Sequence, residues 1–113
     1  MHINKKKHFR LLSTVKSFFR EQNGEIKQEF NHIVWQLENN GSLEMPYGEK
    51  IAQENLFAIR IIQTGNIRVF YVYGKHDLIY GIHAYVKKTQ QIPEKELKEA
   101  RRIVKALNAG GLL

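Results

Sequence analysis

The residues best suited to chemistry in this chain are Arg60, Arg68, His83, Tyr85 and Lys87, with Lys88 beside them. Guanidinium groups grip phosphate oxygens through paired N–H donors, so Arg60 and Arg68 are candidates for stabilising charge on a phosphate. A lysine crowded by other cations gives up its proton more readily, which makes Lys87 and Lys88 candidates for proton transfer near neutral pH. His83 titrates in that range without help. Tyr85 offers a flat ring on which an unstacked base can rest. Taken singly, each residue has a plainer explanation as an outward side chain on a wet sheet face. The set is harder to dismiss, because its members are cationic or aromatic and the runs that carry them hold no acidic residue.

What would gather these side chains is the stretch Leu56 to Gln90. It holds three runs rich in β-branched and aromatic residues, Leu56–Ile62, Ile67–Tyr73 and Leu78–Val86, with Gly, Asn and Asp between them. That pattern predicts a three-stranded antiparallel meander. A second hairpin turning at Lys75-His76 would set Tyr73 opposite Leu78, Tyr71 opposite Tyr80, Val69 opposite Ile82 and Ile67 opposite Ala84, all on a buried face. Arg68 and His83 would then pair on the open face, with Tyr85 and Lys87 farther along. An odd-numbered first loop through Thr64-Gly65-Asn66 puts Ile59 and Ile61 inside and Arg60 beside Arg68.

The remaining elements must cover that sheet. His8–Leu12 can add an edge strand, and Ser13 or Thr14 can cap a short helix carrying Val15, Phe18 and Phe19. Ile26, Phe30, Ile33, Val34 and Leu37 recur at helical spacing, and Asn39-Asn40-Gly41 stops the helix. Ser42 to Asn55 is a connector holding Pro46-Tyr47-Gly48 and Lys50, a candidate loop cation. Pro93 opens a last helix with Leu97, Ala100, Val104 and Leu107 along its apolar stripe. Arg101 on that helix is a candidate phosphate contact, although its charges also serve helix stability. The expected fold is α+β: a small antiparallel sheet, a meander plus an N-terminal edge strand, packed on two N-terminal helices with one C-terminal helix.

The 113 residues make one domain, with residues 1–7 expected to be flexible. A formal charge of +7 and a pI of about 9.7 point to a polyanionic partner. There is no cysteine, hence no disulfide or thiolate chemistry, as suits a reducing cytoplasm. No apolar run reaches membrane-spanning length, and the basic start lacks a signal-peptide pattern. The five histidines are scattered away from any carboxylate cluster and no Gly-rich phosphate loop occurs, so neither a metal nor a cofactor is expected.

Ile82-His83-Ala84-Tyr85-Val86-Lys87-Lys88-Thr89-Gln90, followed by Ile92-Pro93 and the helix Glu96–Val104, resembles the HigB-like, phage-derived branch of the RelE toxin superfamily. Leu56-Phe57-Ala58-Ile59-Arg60 and Ile67-Arg68-Val69-Phe70-Tyr71 are similar to that family's paired strands, and Pro46 and Lys50 to its Pro and Lys in the preceding loop. The resemblance spans roughly Phe18 to Leu107 and implies a RelE-like fold. It further implies a toxin of a type II toxin–antitoxin pair, an endoribonuclease that cleaves mRNA on the ribosome and is silenced by a helix-turn-helix antitoxin. RNA supplies its own 2′-hydroxyl nucleophile, so such an enzyme must chiefly align groups and stabilise charge. Arg68 matches the family's second-strand arginine. Some relatives place a catalytic Tyr or His near the C-terminus, and none follows Pro93 here, so proton transfer falls to Lys87 or Lys88. The alternative is a non-catalytic nucleic-acid- or protein-binding module that keeps the fold.

Overall fold

Strand and helix boundaries follow the hydrophobic pattern closely. The computed structural model describes residues 5–51 and 53–113. Its elements are β1 (His8–Leu11), α1 (Ser13–Arg20), α2 (Gly24–Asn40), β2 (Gly48–Lys50), β3 (Phe57–Ile61), β4 (Ile67–Tyr73), β5 (Leu78–Val86) and α3 (Glu94–Ala109). The sheet order is β1-β5-β4-β3-β2. The α+β architecture agrees with expectation, but the sheet is mixed rather than antiparallel. β1 lies parallel to β5, and β2 adds an unforeseen antiparallel edge beside β3. Glu38 near the end of α2 fixes the start of β1. Its carbonyl oxygen accepts N–H bonds from Lys6 and Lys7, and its carboxylate accepts from the Phe9 N–H and from Lys5 Nζ. The flexibility expected of residues 1–4 lies outside the described residues, whereas Lys5 to Lys7 are tied to Glu38.

Asn23 begins α2 by accepting the Ile26 N–H, and Gly41 ends it in the left-handed region at φ 83°, as its sequence position foretold. α1 departs from expectation, since Leu12 occupies its cap position and no side chain bonds there. Pro93 likewise stands at the cap of α3 rather than in its first turn.

The first hairpin has the expected register: Arg60 faces Arg68, Ile59 faces Val69 and Ile61 faces Ile67. The second does not. Its turn takes in His76 and Asp77, both at positive φ, so Tyr73 pairs with Ile79 and Val72 with Tyr80. A bulge between Phe70 and Tyr71 then shifts the ladder again, and Arg68 faces Tyr85 instead of His83. Two successive single steps restore parity, so His83 and Tyr85 stay on the face of Arg68. Tyr80 and Ile82 change sides and pack with Phe70 and Val72.

Both faces of the sheet are covered. α1 and α2 bury Val15, Phe19, Phe30, Ile33 and Leu37 against Ile59, Ile61, Ile67, Val69 and Tyr71. On the second face, α3 lays Ala100, Leu97, Val104 and Leu107 over Phe70, Val72 and Ile82. The face expected to be wet is therefore largely apolar core. Its residues Ala58, Phe70, Val72 and Ile82 give the stripe of α3 a surface to bury. Among the described residues no helix is long and apolar enough to cross a membrane.

Candidate active site

The polar cluster lies where β3 and β5 end and β4 begins. Arg60 and Arg68 face each other there, a pairing of like charges that destabilises a sheet unless something offsets it. Glu49 on β2 does so, its Oε1 accepting from Arg68 Nε at 3.2 Å. It stands opposite Ala58, the small residue on that face of β3. Arg68 Nη1 donates to the Tyr85 hydroxyl at 2.9 Å, and Nη2 donates to the Gln90 carbonyl at 2.6 Å. All three nitrogens are engaged and the residue is 1 % exposed. Arg68, expected on the surface, is thus an internal strut joining the edge strand, β5 and the connection to α3. The reason is that Glu49 and Gln90 approach from segments outside the meander and close over it.

Arg60 is less enclosed. Its Nη1 donates to the Pro46 carbonyl at 3.3 Å, while its Nε is buried without a hydrogen-bond partner among the described residues. Half-buried Lys87 completes the group. Its backbone N–H donates to the Asn66 carbonyl at 2.6 Å, and its Nζ donates to Gln90 Oε1 at 3.2 Å. Partial burial, then the charges of Arg60 and Arg68, hold the Lys87 amine below the usual lysine range, with Glu49 pulling the other way. Lys88 is exposed beside it.

The other candidates lie elsewhere. The Tyr85 ring, expected to be a platform for a base, is buried and stacked on Phe70 at 5.9 Å, so only its hydroxyl serves the cluster. His83 shares the face, but its Nε2 lies 2.9 Å from Glu96 Oε1 of α3. Four residue steps along the chain separate it from Lys87, roughly 13 Å. Arg101 is paired with Glu54 at 2.8 Å, in the loop at the opposite end of β3 from Arg60. Lys50 is exposed above Phe57, 5.7 Å from the ring centroid, on the face opposite the two arginines. The expectation that no carboxylate offsets these side chains is therefore corrected: Glu49 meets Arg68, Glu54 meets Arg101 and Glu96 meets His83. Among the described residues no group of three or more His, Cys, Asp or Glu is placed to hold a metal ion.

Glu49 and the carbonyls of Pro46 and Gln90 are the participants that the sequence reading missed. A three-residue strand is too short to display alternation, so Glu49 reads as a loop residue. The one usable signal is Gly48. A Cβ there would stand 2.5 Å from Leu43 Cβ, so only glycine lets the preceding loop fold back onto β2.

The arrangement presents Arg60 and Lys87, an acid–base-capable amine, beside a carboxylate at one end of a rigid sheet. That combination suits proton transfer at a phosphodiester. No curated protein matches the chain. A family model described as phage derived protein Gp49-like (DUF891) matches residues 17–105, which include every element that builds this cluster. The chain therefore belongs to the phage-derived Gp49-like family, a toxin-like family related to RelE and HigB.

Proposed function

We propose that this protein is the toxin of a type II toxin–antitoxin pair and cuts mRNA on the ribosome as a HigB-like endoribonuclease. The observation that carries the reading is the meeting of Arg60, Arg68, Lys87 and Glu49 at one sheet end, with the lysine amine made more acidic by partial burial and then by its cationic neighbours. Arg60 and Lys87 receive the scissile phosphate, and Arg68 acts as a positioning residue for Glu49 and the strap after β5. Glu49 takes the proton of the RNA 2′-hydroxyl as its oxygen attacks phosphorus. The bond to the 5′-oxygen breaks, and that oxygen takes a proton from the Lys87 ammonium. The products are a 2′,3′-cyclic phosphate and a 5′-hydroxyl, with no metal required. A helix-turn-helix partner that covers this end of the sheet would silence it.

Expression in cells without such a partner is the test. The parent protein arrests growth and leaves new mRNA ends, whereas Lys87→Met lowers the cleavage rate by roughly a hundredfold or more. Arrest that persists unchanged in the Arg60→Met Lys87→Met double variant would contradict the assignment. The second reading, a non-catalytic binding module, draws support from Arg68, whose nitrogens are all satisfied within the protein. It expects a folded protein that binds RNA or a protein partner and leaves mRNA intact.

A further inference from the structure

At the edge of the sheet farthest from β2, α1 and α2 leave a depression of about 340 Å³ beside β1. Leu11, Phe19 and Phe30 form its apolar part, and Arg20, Lys27 and Asn31 complete the lining. The rings of Phe19 and Phe30 stack at 4.1 Å with planes 16° apart, which makes that part stiff. Arg10, Arg20 and Lys27 are exposed, and among the described residues none of them meets a carboxylate.

The outer edge of β1 opens beside the same depression. The strand bonds β5 through alternate residues, the His8 and Leu12 N–H groups reaching the Asp77 and Gly81 carbonyls. Phe9 and Leu11 therefore turn their backbone groups away from β5. Glu38 accepts the Phe9 N–H with its carboxylate, so the first outward donor already holds an acidic group of this chain. The Leu11 N–H, two residues on, is bonded to no described group. An unpaired edge of this kind is a template for another strand.

We infer that the β1 edge docks an extended acidic segment of a partner protein, in which Asp or Glu alternates with a large apolar residue. Strand geometry sets the pattern: a side chain beside Leu11 points into the depression, and the next one, beside Arg10, points to the other face. The apolar residue rests on Phe19 and Phe30, while carboxylates meet Arg20 and Lys27 at the rim and Arg10 across the strand. Charge complementarity alone would also suit RNA. The two rings are buried, however, and offer edges rather than an open face, which fits an aliphatic side chain better than a base. The free N–H likewise asks for a backbone carbonyl. β1 pairs with Leu78–Gly81, the end of β5 remote from Lys87, so a segment docked here leaves Arg60 and Lys87 uncovered. The inference is thus independent of the endonuclease reading.

NMR of the folded protein tests it with three probes: a short peptide alternating glutamate with leucine, its counterpart with serine for leucine, and oligouridylate of equal length. The leucine peptide should shift the Leu11 amide and Phe19 ring signals, slow hydrogen exchange at the Leu11 N–H, and bind roughly tenfold more tightly than the serine peptide. The double change Arg20→Gln Lys27→Gln, at two exposed sites, should keep the native spectrum and weaken the leucine peptide by about fivefold. Equal binding of the two peptides, or binding of neither, overturns the proposal. Oligouridylate that moves the Leu11 and Phe19 signals more strongly than the leucine peptide also overturns it and gives this face to nucleic acid.

Discussion

Arg60 and Arg68 are equivalent in the sequence and unequal in the fold. Their shared face follows from alternation alone, because each lies one residue from an isoleucine or valine that must point inward. Which of them is buried depends on Glu49 and Gln90, partners brought in by tertiary structure and invisible to any local pattern. The difference has consequences for stability. Arg68→Ala leaves the Glu49 carboxylate and the Tyr85 hydroxyl without their donor, and should cost about 2–4 kcal/mol in denaturant unfolding. Arg68→Lys should recover little, since an ammonium cannot fill three fork positions. Arg60→Met behaves in the opposite way. It removes a buried donor that has no partner, so unfolding stability should hold or rise while mRNA cleavage is lost. The same substitution removes one of the charges that depress the Lys87 amine, so an NMR titration should find that amine's pKa raised toward the ordinary lysine value.

At the level of elements, the site depends on the loop between β3 and β4, and α2 holds that loop. Glu29 Oε2 accepts the N–H groups of Ile62 and Gln63, and Oε1 accepts the N–H and hydroxyl of Thr64. Burial pushes the Glu29 carboxyl up, but these hydrogen bonds outweigh it and leave the group below its ordinary value near 4.5. A carboxyl depressed in the folded state contributes stability above its unfolded pKa, and that contribution is lost as pH falls through the folded value. Glu29→Gln should therefore cost about 1 kcal/mol at neutral pH, and the gap between variant and parent should narrow below the ordinary carboxylate range. The loop also supplies the Asn66 carbonyl that receives the Lys87 N–H, so cleavage should fall with the loop's order. The stripe of α2 was legible because five apolar residues repeat at helical spacing. Glu29 on its margin resembles any solvated glutamate until the loop is seen. The second hairpin was equally illegible: nothing in Gly74–Asp77 marks the one-residue step at the turn that moved Tyr80 to the other face, and nothing in Leu78–Val86 marks the bulge opposite Phe70 that returned His83 and Tyr85.

For the molecule as a whole, the sheet is a slab with helices on both sides and its polar chemistry at one end. The meander and three helices could be read from periodicity, whereas the placement of α3 over the second face could not. A stripe of four apolar positions says that a helix packs, not on which surface. The burial of Arg68 and of the Tyr85 ring follows from that placement and from the strap leading to it. With a formal charge of +7, association with RNA should be steeply salt-dependent, log affinity falling against log salt with a slope of about −0.7 for each phosphate neutralised on a single strand. Arg60→Met should make that slope shallower by about one contact, and Arg101→Ala should leave it unchanged, since Arg101 is held by Glu54 away from the cluster. The central claim, that this sheet end cuts RNA with the substrate's own 2′-hydroxyl, is tested most directly by the chemical form of the ends. Purified protein acting on translated mRNA should leave 2′,3′-cyclic phosphate and 5′-hydroxyl ends. Ends bearing 3′-hydroxyl and 5′-phosphate groups would contradict it.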